Sequence, residues 1–589
     1  MQPNLQDYDT IYKQFKWKDA EKEVRFFDKN KTKLNMAYMI SQNASILKEK
    51  IAIHWENAKG QQKNFTFEQL EKESNKFANL LKKLGIKKGD RCFIFLPRIP
   101  ELYFSFLGIL KAGAIAGTLF PAFGPEGLEP RLEKGQVKLL VTNSELLERV
   151  RKTKNKLKYI IVVGKKKSKK KISKAKTKAR EISYEETKNL SPKFKIVKTN
   201  KDDAAIMLFT SGTARTPLAG IVLPHKAIIQ QILTAKWVLD LRQNDIYWCT
   251  ADPGWITGIV YGIIAPSSLG VTSIVYEGRF DPDKWYEIIE RNKVSVLYTA
   301  PTAIRMLMAS NAHKKYNLSS IRHVCSTGEA LNPAALEWGK KVFGTFIYDS
   351  YWQTETGAIV IANYPCLKIK KGSMGKPVPG IKATILNEKG KELPANEIGL
   401  LALEPGWPSM MTQIWKHPEL YKSYFVRDAK GKKWYITKDL AYKDKEGYYF
   451  FVGRADEIIK TAGERVAPWE VEKVLSQHYA IAEAAVVGKP CAVRGEIVTA
   501  FIVLKDKYDK YGKKEKLKQN IVMFVKKRLA GHAYPREIYF VKELPKTRSG
   551  KIMRLVINAL IKKEKINITA IANPECIEEI KKVIESQGK

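Results

Sequence analysis

Short apolar strands that alternate with amphipathic helices are the feature that most restricts the fold of this 589-residue chain. Residues 91–96, 139–141 and 159–163 are runs typical of buried strands. A capping box at Thr66 to Gln69 predicts the start of an amphipathic helix. Such alternation is typical of a mostly parallel sheet that is covered by helices. We therefore predict an α/β fold.

The pattern changes in the second half of the chain. Residues 375–404 contain short alternating runs around a turn at 387–390, which predicts a small antiparallel β-barrel or sheet. Further along, an amphipathic helical pattern over 471–479 precedes an apolar strand at 484–488. This part of the chain is thus expected to form a different type of domain.

We expect the domain boundary at Gly453 to Glu457. Residues 1–455 would form a large N-terminal domain of mixed and parallel sheets with a small β-barrel part. Residues 456–589 would form a small C-terminal α+β domain.

The formal net charge of +42 is unusual. A basic excess of this size attracts nucleic acids and anionic membranes without specificity. The lysines are spread along the chain, however, and no RNA-recognition, zinc-finger or helix-turn-helix signature accompanies them. The densest cluster, residues 165–180, has ten basic residues in sixteen and predicts an exposed mobile loop. We therefore expect no specific nucleic-acid partner.

Cysteine spacing and hydropathy bear on the compartment. The six cysteines include no CxxC pair, which argues against a disulfide framework or a zinc site and favours a reducing cytoplasm. The N-terminus lacks the basic and apolar regions of a signal peptide, and the most apolar stretch, Ala112 to Phe123, is too short to span a bilayer. We expect neither export nor membrane insertion.

A polar run follows the predicted strand Gly344 to Tyr348 and leads to Gly357. Ligands of open α/β sheets bind at the carboxyl ends of strands, so Asp349, Thr354 and Glu355 could contact hydroxyl groups, phosphate oxygens or a hard cation. An ordinary polar loop would have the same composition. The residues alone leave both interpretations open.

Two further loops have the chemistry of phosphate contacts. Thr210-Ser-Gly-Thr213 follows an apolar strand at 204–209 and offers hydroxyl and backbone N–H donors without steric obstruction. Near the C-terminus, Pro545, Ser549 and Gly550 flank Lys551, which predicts a mobile loop that presents a cation to a transferring phosphate. A solvated lysine in a basic loop is the alternative.

The stretch Asp349-Ser-Tyr-Trp-Gln-Thr-Glu-Thr-Gly357 resembles the core motif of the AMP-forming acetyl-CoA synthetases, members of the adenylate-forming ligase superfamily. Further motifs follow in that family's order over nearly the whole chain. The resemblance implies that acetate and ATP form acetyl-AMP and pyrophosphate, and that coenzyme A then takes the acetyl group and releases AMP. ATP, coenzyme A and Mg²⁺ are the implied substrates and cofactor.

The resemblance also implies roles for individual residues. The residues expected at the transferred phosphate are Lys551, Thr210, Ser211, Gly212 and Thr213. Those expected to bind ATP or AMP are Gly328, Glu329, Ala330, Asp349, Ser350, Tyr351, Trp352, Gln353, Thr354, Asp439, Arg454 and Arg465. The implied acyl pocket consists of Trp255, Ile256, Thr257 and Trp352.

The remaining implied roles concern coenzyme A, the hinge and metal ions. The residues expected at coenzyme A are Thr257, Ala462, Gly463 and Lys526, and Arg98 is a further candidate from its place directly after a strand, with a turn-capping surface arginine as its alternative. The resemblance further implies that the C-terminal domain, residues 456–589, is mobile, with Asp456 as its hinge. Glu355 is the implied Mg²⁺ ligand, and His478 lies near a peripheral cation site of the family, although a lone histidine is more often structural.

The chain departs from the family pattern in two loops. The stretch from Ala214 to Gly220 has one extra residue, lacks the second glycine and has a leucine near the expected lysine, and Lys438 replaces a glycine before Asp439. The altered loop at 214–220 and the net charge of +42 keep a nucleotide-binding pseudoenzyme, or a basic nucleic-acid binder, as alternatives.

The bulk of Trp352 favours acetate, since an indole leaves room for about two carbons and one methylene is worth roughly 1–3 kcal/mol. Core packing of the indole is the alternative explanation, and a ligase for propionate remains a rival. The family resemblance also implies a lysine acetyltransferase and deacetylase that act on Lys551.

Overall fold

The computed structural model describes most of the chain. The described residues are 2–164, 177–210, 218–428, 430–462, 464–509, 514–529, 533–546, 552–564 and 571–586, without the side chains of 465, 507 and 509. Most of the lysine-rich cluster predicted as a mobile loop, residues 165–176, lies outside this range.

The described residues divide into two compact units. The first holds those of 2–382 together with Glu404–Phe425, and the second holds those of Ala383–Leu403 and Val426–Lys589. The expected boundary at 455/456 and the hinge at Asp456 stay predictions.

Two mixed sheets with parallel centres form the first unit, which confirms the predicted α/β class. Within the described residues, the larger sheet has nine strands. In spatial order they are Lys376–Pro377, Ile361–Ala362, Ile347–Tyr351, His323–Thr327, Val296–Thr299, Ile246–Cys249, Thr272–Tyr276, Ile51–Glu56 and Gln62–Thr66. The run from Ile347–Tyr351 to Ile51–Glu56 is parallel, and the strands at either edge are antiparallel.

The second sheet of this unit has eight strands within the described residues. In spatial order they are Gln413–Ile414, Gly220–Pro224, Ala204–Phe209, Ile115–Thr118, Arg91–Phe95, Leu139–Asn143, Tyr159–Val163 and Arg180–Ser183. Its strands from Ala204–Phe209 to Arg180–Ser183 are parallel. The predicted strands 159–163 and 204–209 have the bounds that the sequence suggests.

Helices connect and cover these strands. In chain order the α-helices of the first unit are Tyr8–Gln14, Trp17–Ala20, Met36–Leu47, Phe67–Lys83, Pro100–Lys111, Pro125–Lys134, Leu147–Arg151, Ala227–Trp237, Ile256–Ile259, Ala265–Leu269, Pro282–Asn292, Pro301–Ser310, Pro333–Phe343 and Pro418–Lys422. The predicted capping box is present: Thr66 accepts the Gln69 N–H at 3.2 Å, and the Gln69 side chain accepts the Thr66 N–H at 2.9 Å.

The second unit has two sheets of its own. One contains the strands Ala383–Leu386, Gly399–Leu403, Lys433–Lys443 and Tyr449–Arg454, whose pairings are antiparallel. The strand Phe425–Arg427, of which Val426 and Arg427 belong to this unit, lies next to Lys433–Lys443 in the same sheet. The other consists of Ile459–Thr461, Glu464–Val466, Ile481–Cys491, Gly495–Leu504 and Glu537–Phe540, and the helices Pro468–Leu475, Asp506–Asp509, Lys514–Lys526, Arg554–Ile561 and Cys576–Ser586 accompany it. The antiparallel arrangement predicted after residue 375 and the C-terminal α+β character are both present.

One predicted strand has different bounds in the structure. The sequence suggested a strand from Gly344 to Tyr348, but Gly344 ends the helix Pro333–Phe343 with φ +71° and the strand runs from Ile347 to Tyr351. Glycine readily adopts this left-handed conformation and commonly ends helices. Asp349 and Ser350 therefore lie within the strand rather than after it.

Within the part of the chain that the structure describes, no helix has the length and apolarity needed to cross a membrane.

Thr66→Ala should lower the free energy of unfolding by about 1 kcal/mol, because the Gln69 N–H loses its acceptor at the start of the helix Phe67–Lys83. Thr66→Ser keeps a hydroxyl and should retain most of that energy. Chemical denaturation of both variants measures the difference. Equal destabilisation by Ala and Ser would contradict the capping role.

Candidate functional site

Two neighbouring parallel strands deliver polar side chains to one edge of the nine-stranded sheet. Ser326 pairs with Asp349 and Thr327 pairs with Ser350 in the register of His323–Thr327 against Ile347–Tyr351. The Ser326 hydroxyl donates to Asp349 Oδ1 at 2.9 Å, and the Thr327 hydroxyl donates to the Ser350 carbonyl at 3.0 Å. The loops that begin at Gly328 and Trp352 therefore leave the sheet side by side.

The loop after Tyr351 is a tight turn that its own hydroxyl closes. Thr356 Oγ1 accepts the Gln353 N–H at 3.0 Å and lies 2.9 Å from the Gln353 carbonyl. Gly357 has φ +71°, and a Cβ there would lie 1.9 Å from the Ser409 carbonyl oxygen. This glycine is thus required by both backbone conformation and space.

Asp349 is buried, with its carboxylate held by protein donors. The Ser326 hydroxyl and the Ser350 N–H donate to it at 2.9 and 3.1 Å. Burial raises the pKa of Asp349 to about 7, and these hydrogen bonds oppose the shift only in part. The carboxyl therefore titrates near neutral pH.

A cavity of about 140 Å³ in the first unit brings three sequence motifs together. Its lining residues are Leu208, Phe209, Thr210, Gly254, Trp255, Ile256 and Thr354. Leu208 and Phe209 end the strand Ala204–Phe209, and Thr210 follows it. Gly254 and Trp255 precede the helix Ile256–Ile259, which begins with the lining residue Ile256. Thr354 lies in the loop after Tyr351. Drug-sized ligands occupy roughly 300–1,000 Å³, so this space suits a much smaller group.

Gly254 permits the close approach that shapes this cavity. A Cβ at Gly254 would lie 2.7 Å from Phe120 Cα, and the rings of Phe120 and Trp255 lie 5.6 Å apart. Thr257 is half-buried in the first turn of the helix and is not among the lining residues of the cavity. Trp255 and Ile256 line the cavity, and their assignment to an acyl pocket stays a prediction.

Trp352 is anchored beside the strand ends and is not among the residues that line the cavity in the described structure. Its indole Nε1 donates to Thr327 Oγ1 at 3.0 Å, and its ring meets the ring of Tyr261 edge to face at 5.2 Å. Its predicted place in the acyl pocket stays a prediction.

The loop after Thr327 combines an open glycine with an anchored carboxylate. Gly328 has φ +98°, and no atom lies within 4 Å of the place its Cβ would take. The carboxylate of Glu329 accepts from Thr302 Oγ1 at 2.7 Å and from the Arg305 guanidinium at 3.0 Å. Ala330 is half-buried. A flat group could lie against Gly328 without meeting a side chain of that residue.

Arg98 has partners within the protein. Its guanidinium donates to the carbonyls of Thr250 and Gly278 at 3.3 and 2.9 Å and lies 3.9 Å from Asp252. These contacts join three loops of the first unit, which suits the structural alternative. A role at coenzyme A stays a prediction.

Glu355 is the carboxylate predicted to bind Mg²⁺. The Tyr424 hydroxyl donates to its Oε1 at 3.2 Å, and its backbone carbonyl accepts the Met411 N–H at 2.9 Å. Among the described residues, no group of three or more His, Cys, Asp or Glu side chains could hold a metal ion. Protein-bound Mg²⁺ commonly uses one or two carboxylates together with substrate phosphates, so a single carboxylate fits that use.

In the second unit, Asp439 and Arg454 face each other on paired strands. Arg454 donates from Nη1 to Asp439 Oδ1 at 3.0 Å and from Nε to Asp456 Oδ1 at 3.3 Å. Lys438, which stands where the family has glycine, has φ +62°. A lysine in this left-handed region carries strain that a glycine would avoid.

The other predicted residues of this unit have local partners. His478 is buried, its Nε2 donates to Asn520 at 2.8 Å and its Nδ1 accepts the Ala480 N–H at 3.3 Å, so its neutral ring has two protein partners, as expected of a structural histidine. Burial lowers its pKa. Lys526 lies over the Tyr534 ring at 5.3 Å, and Ala462 has φ +51°.

Several predicted residues lie outside the described part of the chain. They are Ser211, Gly212, Thr213, Gly463, Lys551 and the side chain of Arg465. Their roles therefore stay predictions. The departing loop at 214–220 is described only from residue 218 onward, where the Ala219 carbonyl accepts the Thr210 N–H at 3.2 Å.

The structure adds residues that the sequence patterns did not single out. Arg554 forms a two-pronged ion pair with Glu472, at 2.6 Å from Nε and 2.5 Å from Nη2, and an isolated β-bridge joins Lys546 to Ile552. Tyr261 contacts Trp352 from a helix nearly a hundred residues earlier. A charged pair and an aromatic contact of this kind leave no local sequence signal.

Comparisons with known families and curated proteins agree over most of the chain. The AMP-binding enzyme family matches residues 40–415, and the AMP-binding enzyme C-terminal domain matches residues 470–551. An acetyl-coenzyme A synthetase of Bacillus subtilis is 49% identical and covers 94% of this chain and 95% of its own length. An acetyl-coenzyme A synthetase of Methanothrix thermoacetophila is 41% identical, and the match covers 89% of this chain and 82% of that protein.

Solved structures show the same similarity in three dimensions. An acyl-CoA synthetase of Brucella canis matches with a TM-score of 0.71 and 32% identity, and covers 96% of this chain and 100% of its own. An anthranilate CoA ligase in complex with anthranoyl-AMP matches with a TM-score of 0.81 and 28% identity. The match covers 93% of this chain and 99% of that structure.

Asp349→Asn should change how stability depends on pH. The folded pKa of about 7 lies above the ordinary value of 3.8, so the proton bound by Asp349 stabilises the fold below about pH 4, and this contribution is lost as pH rises through 7. Asn has a similar shape and cannot ionise. Thermal melts at pH 5 and pH 8 should show the parent losing stability relative to the variant at the higher pH. A constant difference would contradict the shifted pKa.

Proposed function

The chain belongs to the family of AMP-binding enzymes, and we propose that within it the protein is an AMP-forming acetate–CoA ligase. Acetate and ATP would give acetyl-AMP and pyrophosphate, and coenzyme A would then give acetyl-CoA and AMP. The names of the curated relatives support acetate as the acid, and their similarity extends over more than four fifths of both chains.

The observation that carries the proposal is the cavity of about 140 Å³ at which Thr210, Trp255 and Thr354 meet. It joins the start of the predicted phosphate loop to the predicted acyl pocket and to the core motif. A carboxylate bound there would have hydroxyl groups on one side and aromatic surface on the other. The size of the cavity is consistent with a small acid.

The chemistry needs no nucleophile from the protein. A carboxylate oxygen of acetate attacks the α-phosphorus of ATP and pyrophosphate leaves, after which the coenzyme thiolate attacks the acyl carbon and AMP leaves with that oxygen. The protein would accelerate both steps by positioning the reactants and by stabilising charge. Lys551 would neutralise charge at the α-phosphate, and Thr210 to Thr213 would donate to the departing pyrophosphate.

We propose nucleotide contacts for each unit by itself. Gly328 would leave room for the adenine, with Glu329 and Ala330 beside it, and Asp439 would accept the ribose hydroxyls next to Arg454. Glu355 would hold Mg²⁺, which supplies charge neutralisation for the phosphates of ATP when it is bound.

The second step would place coenzyme A against the C-terminal part of the chain. Ala462 and Gly463 would leave room for its narrow pantetheine arm, and Lys526 would contact its phosphates. A swing about Asp456 would withdraw Lys551 between the two steps, as lid motions do in other enzymes. We further propose a cytoplasmic location and regulation by acetylation of Lys551, which would remove its charge.

Acetate-dependent release of pyrophosphate from ATP tests the adenylation step. The natural protein should release pyrophosphate with acetate and Mg²⁺, and Lys551→Gln should lower that rate by at least about a hundredfold, because the charge opposite the transferring phosphate is lost. Coupled detection of pyrophosphate measures both rates. Lys546→Gln, which changes a nearby lysine that pairs with Glu483, is the matched control and should remain active.

A variant with residues 214–220 restored to the family pattern separates two failures. If the natural protein releases no pyrophosphate while the restored variant does, residues 214–220 have disabled catalysis. The protein is then a nucleotide-binding pseudoenzyme. Absence of pyrophosphate release from both proteins would contradict the ligase proposal itself.

Trp352→Gly should widen the preferred chain length of the acid. The relative kcat/KM for propionate against acetate should rise by about tenfold, since one methylene is worth roughly 1–3 kcal/mol in such pockets. Pyrophosphate release with each acid measures the ratio. An unchanged ratio would show that Trp352 does not limit the acyl pocket. A parent protein that already prefers propionate to acetate would favour the rival proposal of a propionate ligase.

A further inference from the structure

We propose that Tyr261 is a positioning residue that fixes the indole of Trp352 and thereby sets the chain-length limit for the acid. The inference rests on the proposed function, because it needs an acyl pocket bounded by Trp352. It assigns the limit to a pair of rings rather than to Trp352 alone.

The indole of Trp352 is held from two directions. Its Nε1 donates to Thr327 Oγ1 at 3.0 Å, which ties it to the end of the neighbouring strand. The Tyr261 ring meets it at a centroid distance of 5.2 Å and an interplanar angle of 88°. Edge-to-face pairs of this geometry are favourable and directional, so together the two contacts define one orientation of the indole.

Tyr261 is itself fixed in place. The residue is fully buried, and its hydroxyl lies 2.8 Å from Thr234 Oγ1 and accepts the Ile359 N–H at 3.0 Å. A second ring, Tyr298, meets it edge to face at 5.6 Å. A rotation of Tyr261 would therefore break hydrogen bonds on two other elements.

Tyr261 contacts both ends of the loop that runs from Trp352 to Ile359. Its ring touches Trp352, where the loop leaves the sheet, and its hydroxyl receives the N–H of Ile359, two residues after Gly357. One side chain thus fixes both ends of the segment that supplies Thr354 to the cavity. Loss of that side chain would loosen the indole and the loop together.

The backbone around Tyr261 links this ring pair to the cavity. Residues Val260–Ile264 form a π-helical turn between the α-helices Ile256–Ile259 and Ala265–Leu269. The same helical segment begins at the cavity-lining residues Trp255 and Ile256. Such turns interrupt α-helices and are frequent at functional sites because they redirect side chains. Here the turn carries Tyr261, whose ring lies against Trp352.

Selectivity between acids distinguishes positioning from simple packing. A purely structural ring would, when removed, lower activity with every acid alike. A ring that fixes the indole would, when removed, raise the ratio of kcat/KM for propionate to that for acetate and raise KM for acetate, with KM for ATP unchanged. We expect Tyr261→Leu to raise the ratio by about tenfold, the same order as removal of the indole.

Three further variants complete the experiment. Tyr261→Phe keeps the ring edge and loses the hydrogen bonds to Thr234 and Ile359, so it should shift the ratio in the same direction by a smaller factor. Tyr286→Leu is the matched control: this tyrosine is also fully buried in the first unit and packs on Tyr316 and His313, so it should leave the ratio unchanged. Trp352→Gly provides the upper reference.

The outcomes separate the inference from the proposed function. If Trp352→Gly raises the ratio and both Tyr261 variants leave it at the parental value, the positioning role is overturned while the ligase proposal stands. An equal shift in Tyr286→Leu would also overturn it, because the effect would then come from general loosening. A parent without acetate-dependent pyrophosphate release would refute the proposed function and, with it, the inference. If Tyr261→Leu fails to fold by circular dichroism, Tyr261→Phe decides alone.

Discussion

The parallel pairing of His323–Thr327 with Ile347–Tyr351 is the constraint on which the candidate site depends. The register sets Ser326 against Asp349 and Thr327 against Ser350, so the loops of both strands leave from one edge of the sheet. A slip of one residue would turn each side chain to the opposite face and would separate Thr327 from Trp352. Gly357 completes the arrangement, since the Ser409 carbonyl occupies the space that any larger residue would need.

Local patterns predicted much of the fold, and long-range contacts account for most of the rest. The strands at 159–163 and 204–209 and the capping box at Thr66 depend on neighbouring residues, and the sequence was sufficient for each. Gly344 was placed in a strand because a β-branched and aromatic run follows it directly, and its place at the end of the preceding helix depends on a backbone conformation that this run does not reveal. The partners of Arg98 and Trp352 lie on distant elements, so neither could be read from its motif.

Backbone strain and buried charge both occur near the positions where the site was predicted. Lys438 occupies a left-handed conformation directly before Asp439, and a glycine, the family's residue at this position, would adopt it without strain. Burial holds the pKa of Asp349 near 7 within the core motif. Arg554, three residues after Lys551, is held by Glu472 on the helix Pro468–Leu475. Residues beside the predicted site are thus held by partners within their own units.

In the proposed reaction, acetate becomes joined to AMP before coenzyme A takes the acetyl group. Transfer of ¹⁸O from labelled acetate tests this claim most directly, because the oxygen that attacks the α-phosphorus stays on AMP when the thiol displaces it. We predict one ¹⁸O atom in each AMP formed with acetyl-CoA, detected by mass spectrometry. Label in inorganic phosphate or pyrophosphate, with none in AMP, would contradict the acyl-adenylate route.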